Sequence, residues 1–506
     1  MEMAEAVTSV LSSKIHTRLE GLFNSTRTPE CRQLISEAYG EYLGAIGGET
    51  PMPFSQANFE SECPHTGDYS RKHSGDDSNK KMIDDPTNLN LLYVILTHKN
   101  PSQTIRLISA LSAVGHSFVI HVDSRASSNP THIALVNHYL DHPLVHVVPD
   151  SYRVSVNWGG FSIVQATLNA IKYGFGIGRD GSALDFHKVV SIASTSYPLV
   201  SNSAIRKEIA KYPLDMNLVE IRPSPNTPSP HTWHYFVECD EKVHRIYRLP
   251  LPPNIDMYVG SQWFVISREF AKYLVSPPDK SNLTTIHNSK PKKKHKKQHR
   301  KDRSVPDGTI VQNYYEYGQH VVVADENFFA TLLKNSRFCH KHTNENFLHV
   351  QFDDWENNKN KAEERDPTKC LMPNPSHCGR SPTTMTLDYL PILELSGMLF
   401  ARKFDPVVDE VVLDVIDLRR KQAEEEFSSD VVPQPAFGGS DLLIVNKGSL
   451  NGEGPPLCMG SSKEKEGFIY MQPCFNASLE VGLTGDDWTK GVVSVSDSQS
   501  AVRWNV

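Results

Sequence analysis

Between residues 91 and 221 the chain alternates short β-branched runs with longer segments whose apolar residues recur at helical spacing. The runs are LLYVIL, SFVIHV, LVHVV, HKVVSIA and NLVEI, and the segments between them include SQTIRLISALSAV, FSIVQATLNAIKYG and SAIRKEIAKY. Strands that alternate with helices of about 10 to 15 residues are typical of βαβ units and a mostly parallel sheet. The sequence therefore predicts an α/β fold of the Rossmann type, with the ligand at the carboxyl ends of the strands.

Composition divides the chain into three regions. Residues 1–90 hold an amphipathic helical pattern, SSKIHTRLEGLF and then CRQLISEAYGEYLG, followed by a polar stretch from 64 to 88 that is typical of a linker. Residues 91–425 carry the alternating pattern and end in a charged helical segment. Residues 426–506 are rich in Gly and Ser with short strand-like runs, which predicts a small, mainly β appendage.

A lysine-rich segment, HNSKPKKKHKKQHRKDRS, occupies residues 287–304. Because such dense positive charge cannot enter a core, we expect a disordered surface insertion over residues 281–305. Two interpretations of it stay open, a solvated loop and a patch for polyanion binding or nuclear import.

The overall charge excludes some partners. Lys and Arg number 52 against 59 Asp and Glu, a net charge of −7, so nothing global draws the chain to nucleic acid or anionic lipid. No stretch approaches the roughly 18 apolar residues of a membrane span, and the first residues lack the apolar region of a signal peptide. We therefore expect membrane association only through a segment that is not evident in this chain.

Cysteines and glycosylation sequons indicate the cellular compartment in which the chain folds. The eight cysteines are even in number, and by themselves allow about 105 pairings. Three Asn-x-Ser/Thr sequons begin at Asn24, Asn282 and Asn476. Together these features favour a secretory lumen, whereas the missing leader favours reduced thiols or a trimmed chain.

Several catalytic motifs are absent from the sequence. There is no GxGxxG after the first strand, no Walker lysine loop, no HExxH and no GxSxG, which argues against dinucleotide redox, P-loop and common hydrolase chemistry. Polar residues at predicted strand ends remain as site candidates, in HVDSRA, VNWGGFS, SIASTSYPL, GSQWFV and VVVADENFF. Taken alone, Asp123 could equally be a turn or helix-cap aspartate, and Trp158 a core aromatic.

The same segments, in this order, resemble glycosyltransferase family 14, the core-2/I-branching enzymes and peptide O-xylosyltransferases. The resemblance spans about residues 91–417 and rests on HVDSRA, NWGGFSIVQATLNAI, SIASTSYPL, GSQWFVISREFAKYL, ADENFFATLLKNSRFC, HCGRSPTT and FARKFDP. The upstream ECRQLISEAYGEY and CPHTG, with NSRFC and CGRSP, are similar to the xylosyltransferase branch. The resemblance implies a GT-A-like nucleotide-sugar-binding domain.

The resemblance also implies a catalytic base. Inverting glycosyl transfer needs one group to take the proton of the acceptor hydroxyl, and the family's glutamate in the ADENFF segment corresponds to Glu326. The alternative is a first-turn glutamate that the helix dipole favours. We expect Asp325, at the end of a strand, to cap the following helix.

The donor would be bound without a metal or other cofactor. HVDSRA supplies only one of the two acids of a D-x-D metal site, and the resemblance implies basic side chains at the diphosphate instead. The acid pairs in FDDWENN and GDDWTK stand in the wrong context. The residues implied for UDP-sugar binding are Leu96, Asp123, Val156, Asn157, Trp158, Gln262, Trp263, Ser381, Arg402 and Lys403.

Two positions depart from the family pattern. Gln262 and Ser196 stand where the family has aspartates, which leaves the donor sugar open. The resemblance implies disulfides between Cys31 and Cys339 and between Cys370 and Cys378, and proximity suggests a third. That third pair is Cys458 with Cys474.

The resemblance thus implies an inverting transferase that moves xylose from UDP-xylose to a serine of a proteoglycan-type core protein, in the Golgi or endoplasmic reticulum lumen. Three alternatives remain. The first is a β-1,6-N-acetylglucosaminyl- or glucuronosyltransferase acting on a glycan. The others are an inactive carbohydrate-binding or scaffold homologue and a polyanion-binding protein that acts through residues 290–303.

Overall fold

The computed structural model describes residues 17–46, 51–54, 61–63, 81–222, 234–248, 251, 254–275, 309–352 and 381–428, and the backbone of short strands between 443 and 503. By its contacts the chain forms two units. The first unit comprises residues 1–196 and 205–348, and the second comprises residues 197–204 and 349–506.

A seven-stranded sheet forms the centre of the first unit, with strand order β10-β6-β9-β4-β1-β2-β3. All five β-branched runs form strands, so the predicted α/β fold with a mostly parallel sheet is confirmed. Only β9 runs against its neighbours, β4 and β6. The strands up to residue 350 are β1 (Leu91–Thr97), β2 (Ser117–Val122), β3 (Val145–Val147), β4 (Lys188–Ala193), β5 (Ser196–Pro198), β6 (Asn217–Ile221), β7 (His234–Cys239), β8 (Lys242–Arg248), β9 (Gly260–Ser267), β10 (His342–Thr343) and β11 (Leu348–Val350).

The helices bury one face each against this sheet or its neighbours. Residues 17–24 form a first helical stretch. Asn100 caps the helix that follows β1, and the apolar stripe Leu107, Ile108 and Leu111 is buried. The helices are α1 (Pro29–Ile46), α2 (Pro101–Leu111), α3 (Asn129–His138), α4 (Ser162–Gly174), α5 (Asn202–Ala210), α6 (Arg268–Val275), α7 (Thr309–Gly318), α8 (Phe328–Asn335), α9 (Leu390–Leu395) and α10 (Val411–Ser428).

The antiparallel hairpin β7–β8 was not anticipated, and α1 packs on it. The Tyr39 hydroxyl donates to the carbonyl of Ile246 (3.1 Å), and the rings of Tyr42 and Tyr247 stack with centroids 4.3 Å apart. At the hairpin turn the Asp240 carboxylate accepts from the Thr28 N–H (3.0 Å). The N-terminal helix therefore belongs to the core of the first unit.

The second unit holds a small sheet of order β11-β12-β5, in which β12 is Phe400–Arg402. The predicted β-rich C-terminal segment contains strands as well. They are β13 (Leu443–Val445), β14 (Leu457–Ser461), β15 (Ile469–Pro473), β16 (Val481–Leu483), β17 (Val492–Val495) and β18 (Val502–Arg503). The lysine-rich insertion lies outside the described residues. None of the described helices has the length and apolar composition needed to cross a bilayer.

The disulfide expected between Cys31 and Cys339 is wrong. Cys31 instead bonds to Cys239 at the end of β7, and Cys339 bonds to Cys63. Residue 63 is held in place because the Glu62 N–H donates to the carbonyl of Asn335 (2.7 Å), at the end of α8. The pairs Cys370 with Cys378 and Cys458 with Cys474 lie outside the residues whose side chains are described.

The disulfide assignment can be tested by peptide mapping. Non-reducing digestion should yield Cys31–Cys239 and Cys63–Cys339 peptides. Because the first bond joins residues 208 positions apart, replacing Cys31 and Cys239 together by serine should lower the free energy of unfolding. The expected loss is about 5 kcal/mol on the chain-entropy estimate, measured by denaturant unfolding. A Cys31–Cys339 peptide would contradict the assignment.

Candidate functional site

The carboxyl edge of the sheet brings together the first predicted nucleotide residues. Leu96, near the end of β1, lies opposite His121 of β2 and Ala193 of β4. Asp123 follows β2 directly, and its N–H donates to the carbonyl of Thr97 (2.9 Å). Leu96 and Asp123 therefore lie at one edge, where open α/β sheets bind their ligands.

The Asp123 carboxylate, 2% exposed, is engaged by a neighbouring cation. It accepts from the Arg125 N–H (2.8 Å) and from the guanidinium Nε (3.0 Å) and Nη2 (2.6 Å). The Arg153 guanidinium donates to the backbone carbonyl of Asp123 (2.6 Å). The Asp123 side chain thus makes the turn contact that one interpretation predicted. Its bonds to Arg125 occupy three of the roughly four acceptor positions of the carboxylate.

His121 connects this edge to the next predicted segment. Its Nε2 accepts from the Val154 N–H (3.1 Å), and Val154 in turn accepts from the Ser124 N–H (3.0 Å). Burial lowers the pKa of His121 to about 4, against the opposite effect of Asp123. A neutral imidazole with a free lone pair is what this acceptor role requires.

The Val156–Gly160 loop follows, and its residues differ in exposure. Asn157 is buried, whereas Trp158 is 83% exposed, so the core-aromatic interpretation of Trp158 is wrong. Gly159 adopts φ +76°, a conformation that favours glycine, and its carbonyl accepts from the Val323 N–H (2.8 Å). This bond places the predicted nucleotide loop against the segment that leads into Glu326.

Glu326 lies at the end of a 3-10 helix, Ala324–Glu326, and is exposed. The strand expected before the acid pair is wrong, because residues 321–323 form a bend and turn with Val323 in the left-handed region (φ 55°). The expected Asp325 cap is also wrong. The following helix begins at Phe328, and Asp325 is a buried member of the 3-10 helix.

Asn327 fixes this 3-10 helix to the start of β9. Its side-chain amide donates to the carbonyl of Tyr258 (2.8 Å) and accepts from the buried Tyr314 hydroxyl. Because β9 is antiparallel to β4, its first residues lie at the carboxyl edge, where Gln262 is half-buried and Trp263 is buried. The structure thus places both of these predicted UDP-sugar-binding residues at that edge.

The remaining predicted residues lie in the second unit. The Lys403 ammonium donates to the Ser381 hydroxyl (2.5 Å), so these two predicted phosphate residues are neighbours. The Lys403 N–H donates to the Thr383 carbonyl (3.3 Å), and half-buried Arg402 ends β12.

Sequence reasoning missed two charged residues near the loop. Arg153, 8% exposed, braces the end of β2 through the Val122 carbonyl (2.9 Å), and no pattern signalled it. Glu238 accepts from the Asn157 side chain (2.8 Å). Its hairpin does carry a signal, since HYFVEC and KVHRIYR flank an Asp-Glu turn.

Among the described residues, the groups with metal-ligand spacing lie at the two disulfides. They are Cys31, Cys239 and His244, and Cys63, Cys339 and His340. Since the sulfurs are bonded to one another, they are not thiolate ligands. Metal independence of the candidate site stays a prediction.

Residues 91–374 match the family model of the core-2/I-branching enzymes. The chain belongs to this family. Among curated proteins, human xylosyltransferase 2 is 25% identical over 362 residues, covering 70% of this chain and 36% of that protein. Human xylosyltransferase 1 is 24% identical over 405 residues (77% and 36%), and the rat xylosyltransferase 1 is 23% identical over 404 residues (77% and 42%). The match thus spans 36 to 42% of the length of these relatives.

Membership of the core-2/I-branching family confirms the resemblance. The family match does not depend only on Asp325 and Glu326, since it begins at β1 and includes every predicted strand of the sheet.

The neutral state of His121 predicts a pH dependence of stability. Its pKa is lowered from 6.5 to about 4 on folding, so between these values the unfolded chain binds the proton that the folded chain excludes. The free energy of unfolding should therefore fall as the pH falls from 6.5, by up to about 1.4 kcal/mol per pH unit from this residue. His121→Gln keeps an acceptor for Val154 and should reduce the slope measured by urea unfolding between pH 6.5 and 5. The exposed His138→Gln control should keep it, and equal slopes for wild type and His121→Gln would contradict the assignment.

Proposed function

We propose that the chain is an inverting glycosyltransferase that moves a sugar from a UDP-sugar to a hydroxyl acceptor, with UDP-xylose and a protein serine as donor and acceptor. Family membership and the relatives named xylosyltransferases support the class. The observation that carries the proposal for this chain is the Gly159–Val323 hydrogen bond of 2.8 Å, because it joins the nucleotide loop to the turn before Glu326.

In the proposed reaction Glu326 takes the proton of the acceptor hydroxyl. The acceptor oxygen forms a bond to C1 of the sugar as the bond from C1 to the diphosphate oxygen breaks, so UDP leaves on the opposite face and the configuration inverts. Exposure of Glu326 suits this role, since the acceptor must reach its carboxylate from solvent.

The diphosphate would be held by the two cations that the family resemblance implies for this role. Arg402 and Lys403 are proposed to stabilise the charge that develops on the leaving group, with Ser381 beside Lys403 as a further donor. A guanidinium binds phosphate oxygens through a fixed fork, and an ammonium acts as a point charge.

The nucleoside would lie at the carboxyl edge, against Leu96, Asp123 and the Val156–Trp158 segment. Asp123 keeps about one acceptor position after its contacts with Arg125, which suits a single hydrogen bond to the nucleoside. The same occupancy makes Asp123 a poor metal ligand, which supports a metal-independent reaction. Gln262 and Trp263 would face the sugar.

A lumenal compartment, Golgi or endoplasmic reticulum, fits this proposal. The two disulfides close segments separated by 208 and 276 residues, and such bonds persist in oxidising compartments. The acceptor would then be a secreted core protein or its glycan.

A donor screen tests the function. UDP release should be fastest with UDP-xylose and a serine-glycine peptide, and a chelator should leave the rate unchanged. A faster rate with UDP-N-acetylglucosamine or UDP-glucuronic acid and a sugar acceptor would reassign the donor. No release from any donor would reject the transferase assignment, and loss of activity on chelation would reject metal independence.

Replacement of the base tests the mechanism. Glu326→Gln should retain UDP binding, measured by calorimetry, and lower kcat by about 10²- to 10⁴-fold, because only proton removal is lost. Glu316→Gln, an exposed glutamate on α7, is the matched control and should retain wild-type kcat. Near-normal turnover by Glu326→Gln would remove Glu326 from the mechanism.

A further inference from the structure

A carboxylate outside the central sheet holds the loop that joins the two parts of the proposed site. Glu238 lies near the end of β7, one residue before Cys239. It accepts hydrogen bonds from Asn157 Nδ2 (2.8 Å), from the Ser162 backbone N–H (3.0 Å) and from the Ser162 hydroxyl. The Glu238 side chain is thus hydrogen-bonded to both ends of the Asn157–Ser162 segment.

The same contact completes the N-terminus of α4. Phe161, the residue at the cap position, makes no side-chain cap bond within the described part of the chain. Glu238 accepts one of the N–H groups that have no partner within the helix, and its charge lies at the positive end of the helix dipole. The position of the loop before α4 therefore depends on a residue far away in sequence.

The Glu238 carboxylate lies against Gly160. A Cβ built at Gly160 would lie 2.3 to 2.5 Å from the carboxyl atoms of Glu238, closer than any real side chain tolerates. The Gly160 N–H meanwhile donates to the Asn157 carbonyl (3.0 Å). The Glu238 carboxylate can therefore keep this position only if residue 160 has no side chain, and a side chain there would displace it.

The loop in turn holds the turn before the proposed base. The Gly159 carbonyl accepts from the N–H of Val323 (2.8 Å), which has φ 55° and ψ 45°. A β-branched residue in the left-handed region is a genuine outlier, and such conformations persist only where the surroundings fix them. The 3-10 helix that begins at Ala324 and ends at Glu326 follows Val323 directly.

We propose that Glu238 is a positioning residue for glycosyl transfer, which fixes the Asn157–Gly160 loop and, through Gly159 and Val323, the orientation of Glu326. The inference rests on the proposed function. Glu238 itself touches neither sugar nor acceptor in this scheme, and its effect reaches the chemistry through the loop. Misplacement of a catalytic group by about 1 Å can cost a hundredfold in rate.

A purely structural cap is the alternative, and the chain contains a matched control for it. Glu424 accepts from the Ser203 N–H (3.2 Å) and the Ser203 hydroxyl, in α5. The contact is of the same kind as that of Glu238. In both, a glutamate from another element accepts from the N–H and the hydroxyl of a serine in the first turn of a helix. Glu424 has no place in the proposed reaction.

The experiment compares Glu238→Ala with Glu424→Ala in the full chain, at a temperature where both are folded. Glu238→Ala should lower kcat for UDP release at least tenfold, and Glu424→Ala should stay within about twofold of wild type even where it lowers the melting temperature as much. Glu238→Gln should recover to within about threefold. Its carbonyl can accept from Ser162. The buried Asn157 Oδ1, which has no hydrogen-bond partner among the described residues, can receive the new N–H after the amide turns.

Gly160→Ala provides a second variant that does not remove the carboxylate. It should lower kcat in the wild-type background and have little further effect in the Glu238→Ala background, because the atoms that it would meet are gone. Additive losses in the double variant would overturn the proposed contact.

Deuterium exchange supplies a readout that does not need turnover. Glu238→Ala should speed exchange in residues 157–162 and 322–326, and Glu424→Ala should leave both segments unchanged. Unchanged exchange in Glu238→Ala, or equal kcat losses in the two alanine variants, would overturn the positioning role while the transferase assignment stands. Wild type that releases no UDP from any donor would instead reject the transferase assignment.

Discussion

The hydrogen bond from the Val323 N–H to the Gly159 carbonyl is the contact on which the proposed site depends. It needs two unusual backbone conformations at once, φ +76° at Gly159 and φ 55° at Val323. A side chain at residue 159 would bring a Cβ within 3.3 Å of the Val322 side chain. The two glycines that follow Trp158 therefore have separate roles, one facing the turn before Glu326 and the other facing Glu238.

Charges at the carboxyl edge are held in pairs. Asp123 is bonded to Arg125, and Arg153 is bonded to the carbonyls at the end of β2 and to Asp150. A buried charge without a partner would be costly, so these pairs stabilise the positions of the charged side chains at this edge. A preformed edge of this kind lowers the cost of ordering the site on binding.

The sequence predicted the parts of the fold that local pattern determines. Five β-branched runs became the strands of a mostly parallel sheet because a strand buried on both faces is apolar over most of its length. The run VVV at 321–323 carries the same signal, yet it turns, since the Gly159 carbonyl and the packing of Asn327 fix it from outside the segment. Disulfide pairing failed for a related reason. Which cysteines meet depends on where α1 and the hairpin β7–β8 pack, and spacing along the chain does not contain that information.

The N-terminal helix, which composition sets apart from the α/β region, is covalently joined to the proposed site. Cys31 of α1 bonds to Cys239, the neighbour of Glu238, so the disulfide and the Tyr39–Ile246 contact fix the hairpin that carries this carboxylate. A hairpin alone is marginally stable, and packing on a helix is what gives it a defined position. An oxidised bond at residue 239 thereby restricts the carboxylate beside it, which restricts the loop and the turn before Glu326. In the proposed scheme α1 therefore acts on Glu326 indirectly, through the hairpin, Glu238 and the loop.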